Sequence, residues 1–287
     1  MTPQFLAVLS AFAFACFTIS ARLGLNHSTP LTASVAAMGV RTLTLWAALF
    51  LTRGLPGAHF VAVLLFGLLG LVQTITSLLT FVGLHKIGAS RSEPLRNSFP
   101  LWSAIIAITI LGEKANLAIL LGTILIVAGV ILLSWRPATP SATYRWWHVL
   151  FSLSAAFLAG VAFPVRRYAL TISNEPIYLA AVLASVSFTC LVVFLLLPVS
   201  RPALIWNRKA LLRFGAAGVF EASGAVLALF ALSSGPVVVV APIVATTPLW
   251  TMILTIAVLR GLEQVGTRTV VGTILVVAGT VAVTLGR

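Results

Sequence analysis

The residues able to do chemistry in this chain are few, and they lie inside long apolar runs. Gln73, Thr76, Ser77 and Thr80 recur at i, i+3, i+4 and i+7, the spacing of one helical face. Glu221 opens a second face, followed by Gly224, Ala225 and Ala228, so small residues leave room beside a carboxylate. Glu93, Arg96, Asn97 and Pro100 share a third face in "SEPLRNSFPLW", with Trp102 on a neighbouring one. Polar groups inside apolar spans are costly and mark binding or transport paths. Their other use is hydrogen bonding between packed helices, and both readings stand for the face at 73–80. A mid-span carboxylate such as Glu221 pairs with a cation, faces a wet cavity, or is protonated. Arg91 and Glu93 lie near the start of their run, where anchoring at the headgroups competes with a cavity role. The candidate cavity residues are thus Gln73, Ser77, Glu93, Arg96, Asn97 and Glu221. Phe99, Trp102, Phe163 and Trp250 are candidate aromatic walls, since the two tryptophans fall deeper than an interfacial belt.

The elements that must position these groups follow from composition. Hydrophobic residues make up 60% of the 287 and charged residues 8%, with a mean hydropathy of +1.12. A soluble domain carries roughly 25% charged residues, so this chain buries its outside in lipid. The acidic residues number five, all Glu. The net charge of +13 comes from Lys and Arg that punctuate apolar runs rather than line a stripe. They read as lipid-interface anchors, with no nucleic-acid partner. Cys16 and Cys190 both sit in apolar runs and read as packing residues. The four histidines are scattered near loops, so no metal site and no cofactor are expected. The chain has neither a G-x-x-x-x-G-K-[ST] loop nor an Asp for a Walker B or phosphoenzyme site, which argues against ATP-driven pumping. No catalytic cluster is visible either, and the expectation is a protein that is not an enzyme. "MTPQFLAV" lacks a basic n-region, so the first apolar segment is expected to be a retained span.

Ten runs are long enough to cross a bilayer: 4–24, 31–52, 60–84, 89–110, 117–134, 146–168, 177–198, 211–232, 237–259 and 269–286. Continuous apolarity makes them helices rather than barrel strands. "LGTILIVAGVILL" at 121–133 returns as "VGTILVVAGTVAV" at 271–283, 150 residues later. "FPLWSAIIAITILGE" from Phe99 resembles "TPLWTMILTIAVLRGLE" from Thr247. Gln73 falls opposite Glu221, Trp102 opposite Trp250, and Pro94 and Pro100 opposite Pro242 and Pro248. These four prolines interrupt two corresponding spans and are the hinge candidates. The domain expectation is a five-helix repeat at 1–136, a linker at 137–145 and a second repeat at 146–287. Five is odd, so the second copy enters from the opposite side. The expected fold is all-α and integral to the membrane, with ten transmembrane helices forming two inverted five-helix repeats around a central cavity. That arrangement is typical of secondary transporters. A purely structural duplication is the alternative.

The stretch at 83–133 resembles the hallmark segment of EamA-type transporters, of the drug/metabolite transporter superfamily. The resemblance is carried by Glu93–Pro94, by "LGE" at 111–113 and by "LGTILIVAGVILL". The second half echoes it with "LEQ" at 262–264, and Arg41 in "GVRTLTLW" resembles an arginine of the family's second span. It implies a bacterial plasma-membrane protein, a central cavity and export of small metabolites. Amino-acid exporters of the YddG type are the nearest subgroup. Expected partners are a small-molecule substrate and the lipid bilayer, with the chain acting as a monomer. The alternative substrate is another metabolite or a drug-like cation. Ten crossings put both termini on one face, which the family implies is cytoplasmic; the distribution of Lys and Arg over the loops runs against that choice.

Overall fold

The computed structural model describes residues 2–52, 54–87, 89–134, 146–196, 204–258 and 267–286. Within them, the side chains at 81, 84, 85, 89–91, 93, 146 and 258 are left out of the description. The linker expected at 137–145 and the "LEQ" echo lie outside the described residues.

Every regular element among the described residues is helical. The first half contributes α1 (Pro3–Leu25), α2 (Pro30–Thr52), α3 (Phe60–Ile87), α4 (Ala89–Arg96), α5 (Phe99–Thr109) and α6 (Leu117–Ser134). The second contributes α7 (Val149–Ile172), α8 (Pro176–Leu196), α9 (Arg208–Ser234), α10 (Val237–Val244), α11 (Thr247–Val258) and α12 (Thr267–Leu285), preceded by a short 3-10 turn at Trp146–His148. Among the described residues, nine helical stretches are long and apolar enough to cross a membrane, with α10 and α11 together forming one. The expected fourth span is present as two pieces, α4 and α5.

The outer surface is apolar and the interior is small. Leu51, Phe60, Ile110, Leu196 and Leu285 are all more than two-thirds exposed, as suits side chains that face lipid. The core is rich in alanine and valine, which lets helix backbones approach closely.

Both broken spans break for the same reason. Pro100 has no N–H to offer the carbonyl of Arg96, and its ring clashes there. The helix therefore stops at Arg96 and restarts at Phe99. Ser98 donates its backbone N–H back to Leu95, and Leu101 to Ser98. Pro248 does the same in the other half: α10 stops at Val244 and α11 starts at Thr247, with Thr246 bonded to Ile243 and Leu249 to Thr246. Pro94 and Pro242 lie inside α4 and α10, and both are buried.

The repeated phrase packs on its own copy. A Cβ on Gly122 would stand 2.7 Å from the carbonyl oxygen of Gly279, and one on Gly129 would stand 2.7 Å from that of Gly272. Helices α6 and α12 therefore run antiparallel with their backbones touching. Gly272 is the counterpart of Gly122 and Gly279 that of Gly129, so each glycine meets the counterpart of the other. A second contact repeats the pattern. Gly70 of α3 fits against Leu183 and Val186 of α8, while Gly218 of α9 fits against Ala37 and Val40 of α2.

Each short broken helix packs on the other half as well as on its own. All eight residues of α10 are buried, and α10 packs on α1, α5 and α6 of the first half. The main neighbours of α4, among the described residues, are α3, α6 and α7. The N-terminus of α10 is closed by Glu113, from the loop after α5. Its carboxylate accepts the backbone N–H groups of Val237 at 2.8 Å and Val238 at 3.0 Å. Two orphan donors of the first turn are thereby satisfied by an anion placed on the positive end of the helix.

Candidate functional site: a charged cavity between the halves

A cavity of about 360 Å³ lies at the middle of the bundle, within the range of small-molecule sites. Helices from both halves line it. Phe14 and Phe17 come from α1, Arg41 from α2, Gln73 and Thr76 from α3, and Phe163 and Arg166 from α7; Glu221 and Ala225 come from α9. Both breaks reach the lining too, through Arg96, Asn97 and Phe99 on one side and Ala245, Thr247 and Pro248 on the other.

Its polar feature is an ion pair. Arg41 donates from Nη1 to Oε1 of Glu221 at 2.6 Å, and the arginine side chain is only 7% exposed. The site thus settles the surroundings of the mid-span carboxylate: it is paired with a cation at the cavity wall. The small residues that follow Glu221 do two jobs. Ala225 and Ala228 line the cavity, while Gly224 takes the ring of Phe14 and its carbonyl accepts the hydroxyl of Ser10 at 2.8 Å. The face read from the sequence is thus partly opening and partly packing against α1.

A second guanidinium reaches the cavity from α7. Arg166 stands 5.6 Å from the centroid of Phe163, within cation–π range. Phe163 in turn stacks on Phe99 at 5.5 Å. The aromatic wall therefore continues from α5 to a charge on α7.

Several polar atoms on this lining have no partner among the described residues. They are Nε and Nη2 of Arg41, Nε of Arg166 and Oγ1 of Thr76, all buried. Asn97 is 6% exposed and donates from Nδ2 to Oγ of Ser134 at 2.9 Å, which ties the break to α6.

Of the residues singled out in the sequence, Gln73, Arg96, Asn97, Phe99, Phe163, Glu221 and Pro248 come together on this lining. Three others lie away from this lining. Ser77 is not on the lining; its hydroxyl turns back to the carbonyl of Gln73 at 2.9 Å. Trp102 packs edge-on against Phe157 and Trp250 edge-on against Phe12, so both indoles fill helix contacts. The physical reason is the face each indole takes: Trp102 leaves α5 toward Gly160 and Phe157 of α7, and Trp250 leaves α11 toward Phe12 of α1. The side chain of Glu93 lies outside the described residues. Pro94, Pro100 and Pro242 shape the broken spans without lining the cavity.

Two charged lining residues were absent from the sequence-derived set. Arg41 carries the visible signal of a charge in mid-run. Arg166 lies near the end of the sixth span expected at 146–168, where a basic residue reads as an interface anchor; α7 continues to Ile172. Among the described residues no cluster of three or more His, Cys, Asp or Glu could hold a metal.

A helical bundle with a lipid-facing exterior and a polar cavity between its halves is the architecture of a membrane transporter of small molecules. The EamA-like transporter family matches residues 1–135 and again 146–285, and the chain belongs to that family. One solved crystal structure, of a protein described no further, is similar at a TM-score of 0.77 with 15% identity, covering 99% of this chain and 98% of its own. That likeness speaks for the fold alone. No curated protein matches the chain.

Proposed function

We propose that the chain is a secondary transporter that exports small metabolites, chiefly amino acids with apolar or aromatic side chains, by alternating access. The observation that carries this is the central cavity, lined from both halves and by two helices broken at corresponding prolines. Discontinuous spans in corresponding positions are how many carriers build a site at the midplane. The reciprocal glycine contacts of α6 with α12, and of α3–α8 with α2–α9, support an inverted repeat.

A charged wall beside stacked phenylalanines suits a solute with an ionic head and an apolar tail. Glu221 acts here as a positioning residue: it holds Arg41 by Nη1, while Nε and Nη2 keep no partner among the described residues. Pro100 and Pro248 serve as hinges. Both termini face the cytoplasm in this reading, and one copy of the chain holds the complete cavity.

The test is a counterflow screen in liposomes holding the purified protein, with labelled amino acids and labelled organic cations in parallel. Apolar and aromatic amino acids are expected to exchange. Exchange of cations with no exchange of any amino acid would contradict the substrate assignment.

A further inference from the structure

We infer that the cavity recognises its substrate through a carboxylate, which the free edge of Arg41 and Nε of Arg166 receive together. The inference rests on the transporter reading of the same cavity and narrows its substrate class.

The bond to Glu221 engages Nη1 of Arg41. The two atoms left over, Nε and Nη2, lie on one edge of the planar guanidinium. Together they form the fork whose two parallel N–H groups match the two oxygens of a carboxylate. Both are buried and have no partner among the described residues. A guanidinium cannot shed its proton to escape the cost of burial, so an unpaired fork in the membrane interior is a demand for an acceptor.

The other unpaired atoms agree. Arg166 presents a buried Nε and Thr76 a buried hydroxyl on the same lining. Three of the four atoms can only donate, so the ligand that satisfies them is rich in acceptors. Charge points the same way. On the lining, Arg41 and Arg166 bring two guanidinium groups beside Glu221, and that carboxylate already holds Arg41. An ammonium would meet net positive charge; a carboxylate relieves it. Arg41 and Thr76 belong to the first half and Arg166 to the second, so a bound carboxylate ties the halves together.

The experiment uses the full chain, purified and reconstituted, with four probes: 3-phenylpropionate, succinate, 2-phenylethylamine and inorganic phosphate. Binding is read by calorimetry and movement by counterflow. At least one carboxylate is expected to bind about tenfold or more tighter than 2-phenylethylamine. Arg166→Gln should weaken that binding by about tenfold or more, with partial return in Arg166→Lys. Arg41→Lys keeps a charge beside Glu221 but removes the fork, and should weaken it by a similar factor. Gel filtration separates these effects from unfolding; if Arg166→Gln does not stay folded, Arg41→Lys carries the test.

Equal or tighter binding of the amine, binding of phosphate alone, or unchanged carboxylate affinity in both Arg166→Gln and Arg41→Lys overturns the inference, as does no binding by either carboxylate. A carrier that still exchanges amines would leave the transporter reading intact. Carboxylate binding without any exchange would do the reverse.

Discussion

At the residue scale the Arg41–Glu221 pair dominates the site. Two charges have been taken out of water into a bundle made of alanine, valine and leucine. Such a pair contributes little over an apolar substitute, yet removing one partner is expensive because the other charge is left alone. Arg41→Met and Glu221→Gln should each lower stability in detergent, the first by roughly 3–5 kcal/mol. The double variant should recover part of that loss, giving a coupling of about 1–3 kcal/mol in a double-mutant cycle. Additive losses would mean that the two groups do not act on one another.

At the element scale the breaks in the fourth and ninth spans organise everything else. They bring Arg96, Asn97 and Phe99 from one half, and Ala245, Thr247 and Pro248 from the other, to the cavity. The short helix α10 depends on its cap, since Glu113 holds two N–H groups that nothing else on the helix can satisfy. Glu113→Ala should orphan both donors at roughly 1–3 kcal/mol each, seen as a lower thermal midpoint in detergent. Glu113→Gln keeps one acceptor oxygen and should lose about half as much. A midpoint unchanged in Glu113→Ala would show that the cap is dispensable.

These breaks also mark how far the sequence could be read. Pro100 and Pro248 announced interruption, because a missing N–H has one local consequence. Trp102 was a candidate for its depth in the span, and depth does not say which face of α5 turns to the cavity. The spans were legible because apolar runs of that length have one fate in lipid. Arg166 was not, because which face of α7 turns to the cavity depends on packing against α3, α5 and α9 rather than on local signals. Glu221 was legible as a functional carboxylate candidate, but its partner was not: Arg41 lies 180 residues away in the chain, and only the fold brings them together.

At the scale of the whole molecule, the chain holds a cavity between two halves that share a sequence pattern. The glycines of "GTILIVAG" and "GTILVVAG" join the halves along α6 and α12. In the proposed cycle that seam stays put while the broken spans move about Pro100 and Pro248. Nothing in such a cycle calls for nucleotide hydrolysis; the solute's own gradient, or a coupled one, drives it. The most direct test of this account is counterflow of a labelled amino acid with an apolar or aromatic side chain, in liposomes holding only the purified protein and no ATP. The account predicts saturable uptake of label against unlabelled substrate trapped inside, and none in protein-free liposomes. Uptake that appears only when ATP is supplied, or that rises linearly with concentration without saturating, would contradict it.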